Sequence, residues 1–279
     1  QSDPELAQAF HMARVLGMPL LIEGEPGTGK TELPLQFAHD KSLDLFVYPV
    51  GTKSTVDAFV AKFDHVKYLR DSQVEILNAQ REEKGLDGLS TSGRDTDKLD
   101  DYVMLGPGAK AYSTAHSVLL IDEIDKAPRE FPNDLLYALS HRRFVKPEAG
   151  RVIEAGEAEM PAIVITSNRE QELPTAFKGR CIYHYISFPD AMMMREIVAK
   201  HFPTAEGALV EKCLGLFYQM RQLGLERAPS TRELLNWLKN LQSFEVDEAI
   251  TKIEAKEGMG VLVKTQKDLE RIKSQFSLR

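Results

Sequence analysis

The chain contains the sequence Gly24-Glu25-Pro26-Gly27-Thr28-Gly29-Lys30-Thr31, which fits the phosphate-binding pattern G-x-x-x-x-G-K-[ST] at every fixed position. Glycines let consecutive backbone N–H groups turn toward an anion, and a helix that begins at the loop adds the positive end of its dipole. Lys30 is expected to reach the β and γ phosphates of a nucleotide, and the Thr31 hydroxyl is expected to take one position on Mg²⁺. The sequence therefore predicts a nucleotide site at a strand-to-helix turn.

The residues on either side of this loop agree with that interpretation. Pro19-Leu20-Leu21-Ile22-Glu23 is a short apolar run typical of a buried strand, and Leu33, Leu35 and Phe37 follow in a segment that can be helical. A Gly-rich turn without function is the alternative, and this strand and helix context disfavours it. Pro34 falls early in the expected helix, where we expect a small distortion and an intact site.

Length and composition limit the classes of protein to consider. With 279 residues and 43% hydrophobic content, the chain can form one large domain or two modest ones with a sizeable core. The net charge of −7 argues against non-specific attraction to DNA or to an anionic membrane, although it leaves room for a local basic face. No apolar run approaches the roughly 20 residues that span a bilayer, and no secretion signal is evident, so we expect a soluble, cytoplasmic protein. Cys181 and Cys213 lack zinc-ligand spacing and are expected to be reduced core residues.

Polar side chains follow two further predicted strands. The run Ser117-Val118-Leu119-Leu120-Ile121 ends at Asp122 and Glu123, and the run Ala162-Ile163-Val164-Ile165-Thr166 leads to Asn168. An open parallel sheet places its ligand crevice at the carboxyl ends of its strands. There the first carboxylate can hold the Mg²⁺ shell, the second can polarise a water for attack on the γ-phosphate, and Asn168 can hydrogen-bond both that phosphate and that water. Alone, the acids could be a solvated strand end and the Asn a turn residue, but the phosphate loop favours the functional interpretation.

Residues 45–101, between the phosphate loop and the strand that ends at Asp122, carry weaker signals. A second strand is predicted over 45–50, and Ser54 and Asp57 resemble a capping box that opens a long helix to about Gln80. Its apolar face would carry Val56, Phe59, Val60 and Phe63. Residues 81–101 are acidic and rich in Gly and Ser, which predicts a surface insertion that is either a mobile loop or a partner-binding segment.

A hairpin and a fifth strand are predicted before residue 189. A hairpin is predicted from 144–146 and 151–153 around a turn at 147–150. Positive charge gathers around it, where it is either solvated or available to a substrate or a neighbouring subunit, on Arg142, Arg143, Lys146 and Arg151. A fifth strand is predicted from Ile182 to Phe188.

Beyond Pro189-Asp190 the strand-like runs stop and helical patterns take over. We therefore predict an α/β nucleotide-binding domain over 1–189 and a helical domain over 190–279. The helices are expected near 191–201, 206–222, 231–243, 246–256 and 265–276. Arg232 lies at the start of the third, which is unfavourable for the helix dipole, so it is either solvated or directed at an anion.

Four motifs, taken in order, resemble those of an AAA+ ATPase: the loop at 24–31, Leu119-Leu120-Ile121-Asp122-Glu123-Ile124-Asp125, Thr166-Ser167-Asn168 and Gly179-Arg180-Cys181. Within that superfamily the loop, Asp-Glu-Ile-Asp-Lys-Ala, Thr-Ser-Asn-Arg-Glu and the run from Leu173-Pro174 to Phe188-Pro189-Asp190 are similar to MoxR-type ATPases. The branch that includes the carbon monoxide dehydrogenase maturation ATPase is the nearest in resemblance. The resemblance implies a P-loop NTPase fold, with a five-stranded parallel sheet flanked by helices and followed by a small all-helical lid.

The resemblance also implies roles and partners. Lys30 and Thr31 match the Walker A positions, Asp122 and Glu123 the Walker B pair, and Asn168 the first sensor. Arg180 matches the arginine inserted in trans into a neighbour's site, and Arg232 lies where the lid's sensor arginine is expected. The family implies ATP and Mg²⁺, hexamers or similar rings, and chaperone-like remodelling of a metalloenzyme client, often with a von Willebrand A domain partner. Pro34 and the Lys178-Gly179 pair before Arg180 depart from the family pattern.

Two other functions stay open from the sequence. A nucleic-acid motor could use the same module, although the acidic balance argues against it. A nucleotide-gated interaction switch with little turnover is disfavoured by the intact acids at 122–123 and by Asn168. The sequence does not distinguish ATP from GTP.

Overall fold

A computed structural model of the chain describes residues 4–90, 93–141, 143–145, 152–154, 160–255 and 257–275. It divides the chain into two compact units. The first comprises Gln1–Glu23 with Lys30–Tyr185, and the second comprises Gly24–Gly29 with Ile186–Arg279. The predicted domain boundary at 189 and 190 stays a prediction.

The first unit is built on the predicted five-stranded parallel sheet, flanked by helices. Its strands are β1 (Leu20–Gly24), β2 (Leu45–Pro49), β5 (Val118–Asp122), β8 (Ala162–Ser167) and β9 (Ile182–Ile186), in the spatial order β2-β5-β8-β1-β9. The central strands form from apolar runs because both faces of the sheet are covered: Leu21, Leu119 and Ile165 are completely buried. Register places Leu119 between Phe46 and Ile163, so the carboxyl ends of β5 and β8 come together. Pro49 ends β2 at the sheet edge, where its missing N–H is tolerated.

The helices and short strands of the first unit connect these strands. They are α1 (Pro4–Leu16), α2 (Glu32–Lys41), α3 (Val56–Val60), β3 (Ala61–Phe63), α4 (His65–Glu83), β4 (Val103–Leu105), α5 (Pro107–Tyr112), α6 (Phe131–His141), β6 (Arg143–Val145), β7 (Val152–Glu154) and α7 (Thr175–Lys178). The predicted hairpin exists as the antiparallel pair β6 and β7. Its turn, with Arg142, Lys146 and Arg151, lies outside the described residues.

The prediction of one long helix from Ser54 to about Gln80 is wrong. The chain turns out of α3 at Ala61, and residues 61–63 pair with 103–105 in an antiparallel ladder before α4 begins. The Gly106 N–H donates to the Val60 carbonyl oxygen at 2.7 Å, which fixes this exit. The predicted capping box is also wrong, because the N-cap of α3 is Thr55, whose hydroxyl accepts from the Ala58 N–H at 3.2 Å.

The acidic segment predicted over 81–101 lies against α4, and residues 91 and 92 are outside the described part. Asn78 on α4 exchanges two hydrogen bonds with the backbone of Leu89, at 2.6 and 3.2 Å. Asp71 on the same helix pairs with Arg94 at 3.1 Å and accepts from the Tyr102 hydroxyl at 3.1 Å. The polar face of α4 therefore holds the segment, while apolar residues of the helix, including Val66, remain exposed.

The second unit is helical apart from the loop 24–29. Its helices are α8 (Ala191–His201), α9 (Gly207–Gln222), α10 (Thr231–Leu241), α11 (Val246–Glu254) and α12 (Gln266–Gln275). Their apolar stripes form one core around the completely buried Phe217 and Leu238, with Trp237 at 1% exposure. Cys213 lies in this core, as predicted. Ser230 is the N-cap of α10, and the Glu233 carboxylate accepts from its N–H at 2.8 Å.

In the described part of the chain, no helix combines the length and the apolar character needed to cross a membrane.

Candidate functional site

A single buried hydroxyl fixes the two acids at the end of β5. Thr166, 1% exposed on the adjacent strand β8, donates to Asp122 Oδ1 at 2.6 Å and accepts from the Glu123 N–H at 2.9 Å. Glu123 takes a left-handed backbone conformation, with φ 59° and ψ 51°, which residues other than glycine rarely adopt. Thr166 therefore orients one acid through its side chain and the other through its backbone.

The Glu123 carboxylate has two further partners. Lys126, three residues later, pairs with Oε2 at 2.6 Å, and Asn168 Nδ2 donates to Oε1 at 3.1 Å. The hydrogen bond from Lys126 lowers the pKa of Glu123, and Asn168 and the charge of Lys30 act in the same direction. The same pair raises the pKa of Lys126. Glu123 is therefore held as a carboxylate beside Asn168, as a water-polarising group requires.

The turn that carries Asn168 is anchored by Asp125. This carboxylate is 2% exposed, and it accepts from the Asn168 N–H at 3.1 Å and from the Glu170 N–H at 2.8 Å. Arg169, between them, has φ 63°, a conformation that the two hydrogen bonds hold in place. Asn168 therefore faces Glu123 because of a buried carboxylate in the turn after β5.

Lys30 and Thr31 begin the segment that returns to the first unit. Lys30 is 6% exposed, and its charge contributes to the lowered pKa of Glu123. Thr31 is the N-cap of α2 and already has helical dihedrals, φ −77° and ψ −19°. Pro34 lies in the first turn of α2, where its missing N–H costs little, and this explains why the helix is intact despite the proline.

The loop 24–29 has close backbone contacts in the second unit. A Cβ on Gly24 would lie 2.6 Å from the Ile186 carbonyl oxygen, so a larger residue cannot replace it without a shift. Gly27 has φ +80°, and a Cβ there would lie 3.3 Å from the Ser230 Cβ and from the Thr231 nitrogen. The Thr28 hydroxyl donates to the Glu25 carbonyl oxygen at 2.9 Å, which closes the loop on itself. The close approach of the Ile186 carbonyl oxygen therefore favours glycine at position 24, and the left-handed backbone conformation favours it at position 27.

Of the two predicted arginines, Arg180 lies apart from these contacts, whereas the backbone nitrogen of Arg232 would lie 3.7 Å from a Cβ on Gly27. Arg180 follows α7, is exposed, and donates from Nη1 to the Ala176 carbonyl oxygen at 2.9 Å. Within the described residues of the first unit, no hydrogen bond or ion pair joins Arg180 to Asp122, Glu123 or Asn168. Arg232 is the second residue of α10 and is exposed. The roles predicted for both arginines stay predictions.

Glu23 is a charged residue of the site region that the sequence analysis did not select. Its side chain is 5% exposed, and it lies 3.3 Å from Lys178, 3.8 Å from Arg169 and 3.2 Å from the Tyr183 hydroxyl. Glu23 therefore pairs with Arg169, in the turn of Asn168, and with Lys178, the last residue of α7. The available signal was an acid inside an apolar strand directly before the phosphate loop.

A divalent cation fits the oxygen donors predicted for it. Mg²⁺ prefers hard oxygen ligands and keeps several waters, so it needs only one or two protein groups. Thr31 offers a hydroxyl, and Asp122 offers a carboxylate that Thr166 contacts at one oxygen only. Among the described residues, no cluster of three or more His, Cys, Asp or Glu side chains could hold a metal ion by itself.

We compared the chain with known protein families, curated proteins and solved structures. The family model described as AAA domain (dynein-related subfamily) matches residues 19–181. No curated protein matches the chain. The structure of a RuvB point mutant from Thermotoga maritima is similar, with a TM-score of 0.52 and 15% sequence identity, over 98% of this chain and 76% of that one. At this identity the likeness concerns the fold.

Proposed function

Because the chain belongs to the AAA domain family, in its dynein-related subfamily, we propose that it binds ATP and hydrolyses the bond between the β and γ phosphates. The observation that carries the proposal is a connected group of side chains: the Thr166 hydroxyl contacts Asp122 and the Glu123 N–H, and Asn168 donates to the Glu123 carboxylate. Three ligand-type side chains at two adjacent strand ends are held by buried partners, which is the preorganisation that phosphoryl transfer needs.

Each residue of the site has its own role in the proposed hydrolysis. Glu123 accepts a hydrogen bond from the attacking water and polarises it, and Asn168 orients the same water and the γ-phosphate. Lys30 and the backbone N–H groups of the loop 24–29 bind the phosphates. Thr31, and Asp122 through water, would hold Mg²⁺, which would supply positive charge to offset the negative charge of the phosphate oxygens.

We extend the proposal to a homo-oligomeric ring, a hexamer or a similar assembly. Family membership and the exposed position of Arg180 support it, since an arginine exposed on its own subunit can reach a neighbour's site. Arg180 then acts in trans, and Arg232 contacts the nucleotide from the helical unit.

We propose that ATP hydrolysis drives the chaperone-like remodelling or maturation of a protein client, as in MoxR-type ATPases. This activity would take place in the cytoplasm. The resemblance of the motifs supports this proposal. It extends to a metalloenzyme client and to a partner with a von Willebrand A domain.

A phosphate-release assay tests the enzymatic part. Wild-type protein should release phosphate from ATP in the presence of Mg²⁺, with GTP run in parallel to establish nucleotide preference. Lys30→Ala should abolish release, whereas Lys41→Ala, an exposed lysine at the other end of α2, should leave it unchanged. No release by the wild type, with nucleotide bound, would favour the switch alternative.

Mixed assemblies test the ring. Arg180→Ala alone should be inactive, and mixing it with Lys30→Ala protein should partly restore turnover because each supplies what the other lacks. No restoration in mixtures that do form rings would contradict a trans role for Arg180. Stimulation of hydrolysis by duplex DNA would favour the nucleic-acid motor instead.

A further inference from the structure

Glu25 presents an electrostatic problem in a phosphate-binding loop. It occupies a variable position of the pattern, so phosphate binding itself does not call for an acid there. A carboxylate close to bound phosphates repels them. In the second unit, Arg221 of α9 donates from Nη2 to Glu25 Oε2 at 2.5 Å and neutralises this charge.

Arg221 is held in place by groups other than Glu25. Its side chain is 13% exposed, Nη1 donates to the Pro229 carbonyl oxygen at 2.5 Å, and the guanidinium carbon lies 3.4 Å from the centre of the Phe188 ring. Phe217 is a second ring neighbour, at 6.0 Å. A planar cation held by a carbonyl group and an aromatic face loses little further freedom when it pairs with a carboxylate. The pair is therefore preorganised on the arginine side.

Arg221 also contacts the residue that precedes the N-cap of α10. Pro229 directly precedes Ser230, the N-cap of α10, and this end of the helix lies against Gly27 of the loop. Arg221 thus binds the loop through Glu25. It also binds the carbonyl group of Pro229, next to the N-terminus of α10, which packs on Gly27. With Gly24 against Ile186, the loop is held at three successive points.

We propose that Arg221 is a positioning residue for the phosphate-binding loop, acting through Glu25. The ion pair holds the loop in the conformation that points its N–H groups at phosphate, and it keeps the Glu25 carboxylate turned to the guanidinium. This inference rests on the proposed nucleotide-binding function. By linkage, bound nucleotide and the Arg221–Glu25 pair stabilise each other.

The test compares Arg221→Gln, Arg221→Lys and Glu25→Gln with wild-type protein, using a fluorescent ATP analogue for Kd and phosphate release for KM and kcat. Arg195→Gln is a control, because Arg195 and Glu211 also form an arginine–glutamate pair in the same unit, with two hydrogen bonds between α8 and α9. Melting temperatures without nucleotide show whether each variant is folded. Glu25 is 45% exposed, so Glu25→Gln should fold like the wild type.

We expect Arg221→Gln to raise Kd and KM about tenfold, as loss of one charge-assisted hydrogen bond does, while kcat stays within about twofold. Arg221→Lys should recover only part of the affinity, because an ammonium group keeps the charge beside Glu25 but loses the planar guanidinium that stacks on Phe188 and also binds the Pro229 carbonyl group. In the Glu25→Gln background, Arg221→Gln should change Kd by less than about threefold, because the two residues act through one contact.

Three results would overturn the inference: a Kd for Arg221→Gln equal to that of Arg195→Gln, an effect confined to kcat, or a full tenfold effect of Arg221→Gln in the Glu25→Gln background. The last would mean that Arg221 acts on the nucleotide directly. If wild-type protein does not bind the analogue, the proposed function fails together with the inference, whereas normal wild-type binding with unaffected Arg221 variants overturns the inference alone.

Discussion

Replacing Thr166 by valine should damage both stability and catalysis, because one hydroxyl holds both acids of the site. The substitution keeps the shape of the side chain and removes the bonds to Asp122 Oδ1 and to the Glu123 N–H. A bond to a charged group contributes about 1.5 to 3 kcal/mol and a neutral one about 0.5 to 1.5 kcal/mol. Asp122 is only half-buried, so water restores part of the loss, and we expect the free energy of unfolding to fall by about 2 to 3 kcal/mol.

Calorimetry and phosphate release measure the two effects of Thr166→Val. The melting temperature should fall by about 2 to 4 °C for each kcal/mol in a domain of this size. Turnover should fall about 10- to 100-fold, because the acids lose their fixed orientation while the phosphate loop is intact. Thr166→Ser, which keeps the hydroxyl, is the matched control and should stay close to wild type in turnover. Wild-type stability and turnover in Thr166→Val would refute the claim that this hydroxyl organises the site.

Two further predictions concern packing and thiol chemistry. Gly108→Ala should lower stability by about 1 to 3 kcal/mol, because the added Cβ would lie 2.4 Å from the buried Phe59 ring; Gly51→Ala, whose Cβ meets nothing within 4 Å, should be almost neutral in the same thermal melt. Burial raises the pKa of Cys181 and of Cys213 to about 12, so neither should react with iodoacetamide at pH 8 until the protein is denatured, as mass spectrometry would show; rapid labelling of the native protein would contradict this.

The sheet was predictable because its strands are apolar runs that end in polar residues. Burial on both faces leaves a continuous apolar signal, as in β1, β5 and β8, and that signal depends on local sequence alone. The pattern of the phosphate loop is equally local. These strands, and the positions of Asp122, Glu123 and Asn168 at their ends, could therefore be predicted from local sequence, whereas the five-stranded parallel arrangement was implied by the resemblance of the motifs.

The segment after Ser54 was not predictable in the same way. Its apolar residues have helical spacing, but residues 61–63 form a strand because they pair with 103–105, which are distant in sequence. The spacing of apolar residues within a segment carries no information about a strand partner that is distant in sequence. Tertiary pairing therefore overrode the local signal.

The residues that support the site were missed for a related reason. Thr166 contacts Asp122 only because β8 lies beside β5, and Asp125 reaches the turn of Asn168 across the same pair of strands. Lys126 was missed as well, although its spacing of three residues from Glu123 is a local signal for an ion pair. The sequence motif contains these residues, but only the register of the sheet reveals what they hold.

In the proposed hydrolysis Glu123 polarises the attacking water, and the substitution Glu123→Gln tests this role most directly. The amide keeps the shape of the side chain but accepts a proton far less readily, so the variant should bind ATP with wild-type Kd while turnover falls about 100-fold or more. Glu130→Gln, an exposed acid a few residues further along the chain, should behave like the wild type in both measurements. Turnover by Glu123→Gln within about twofold of wild type, at equal ATP affinity, would contradict the account, since general-base catalysis contributes about 100-fold or more.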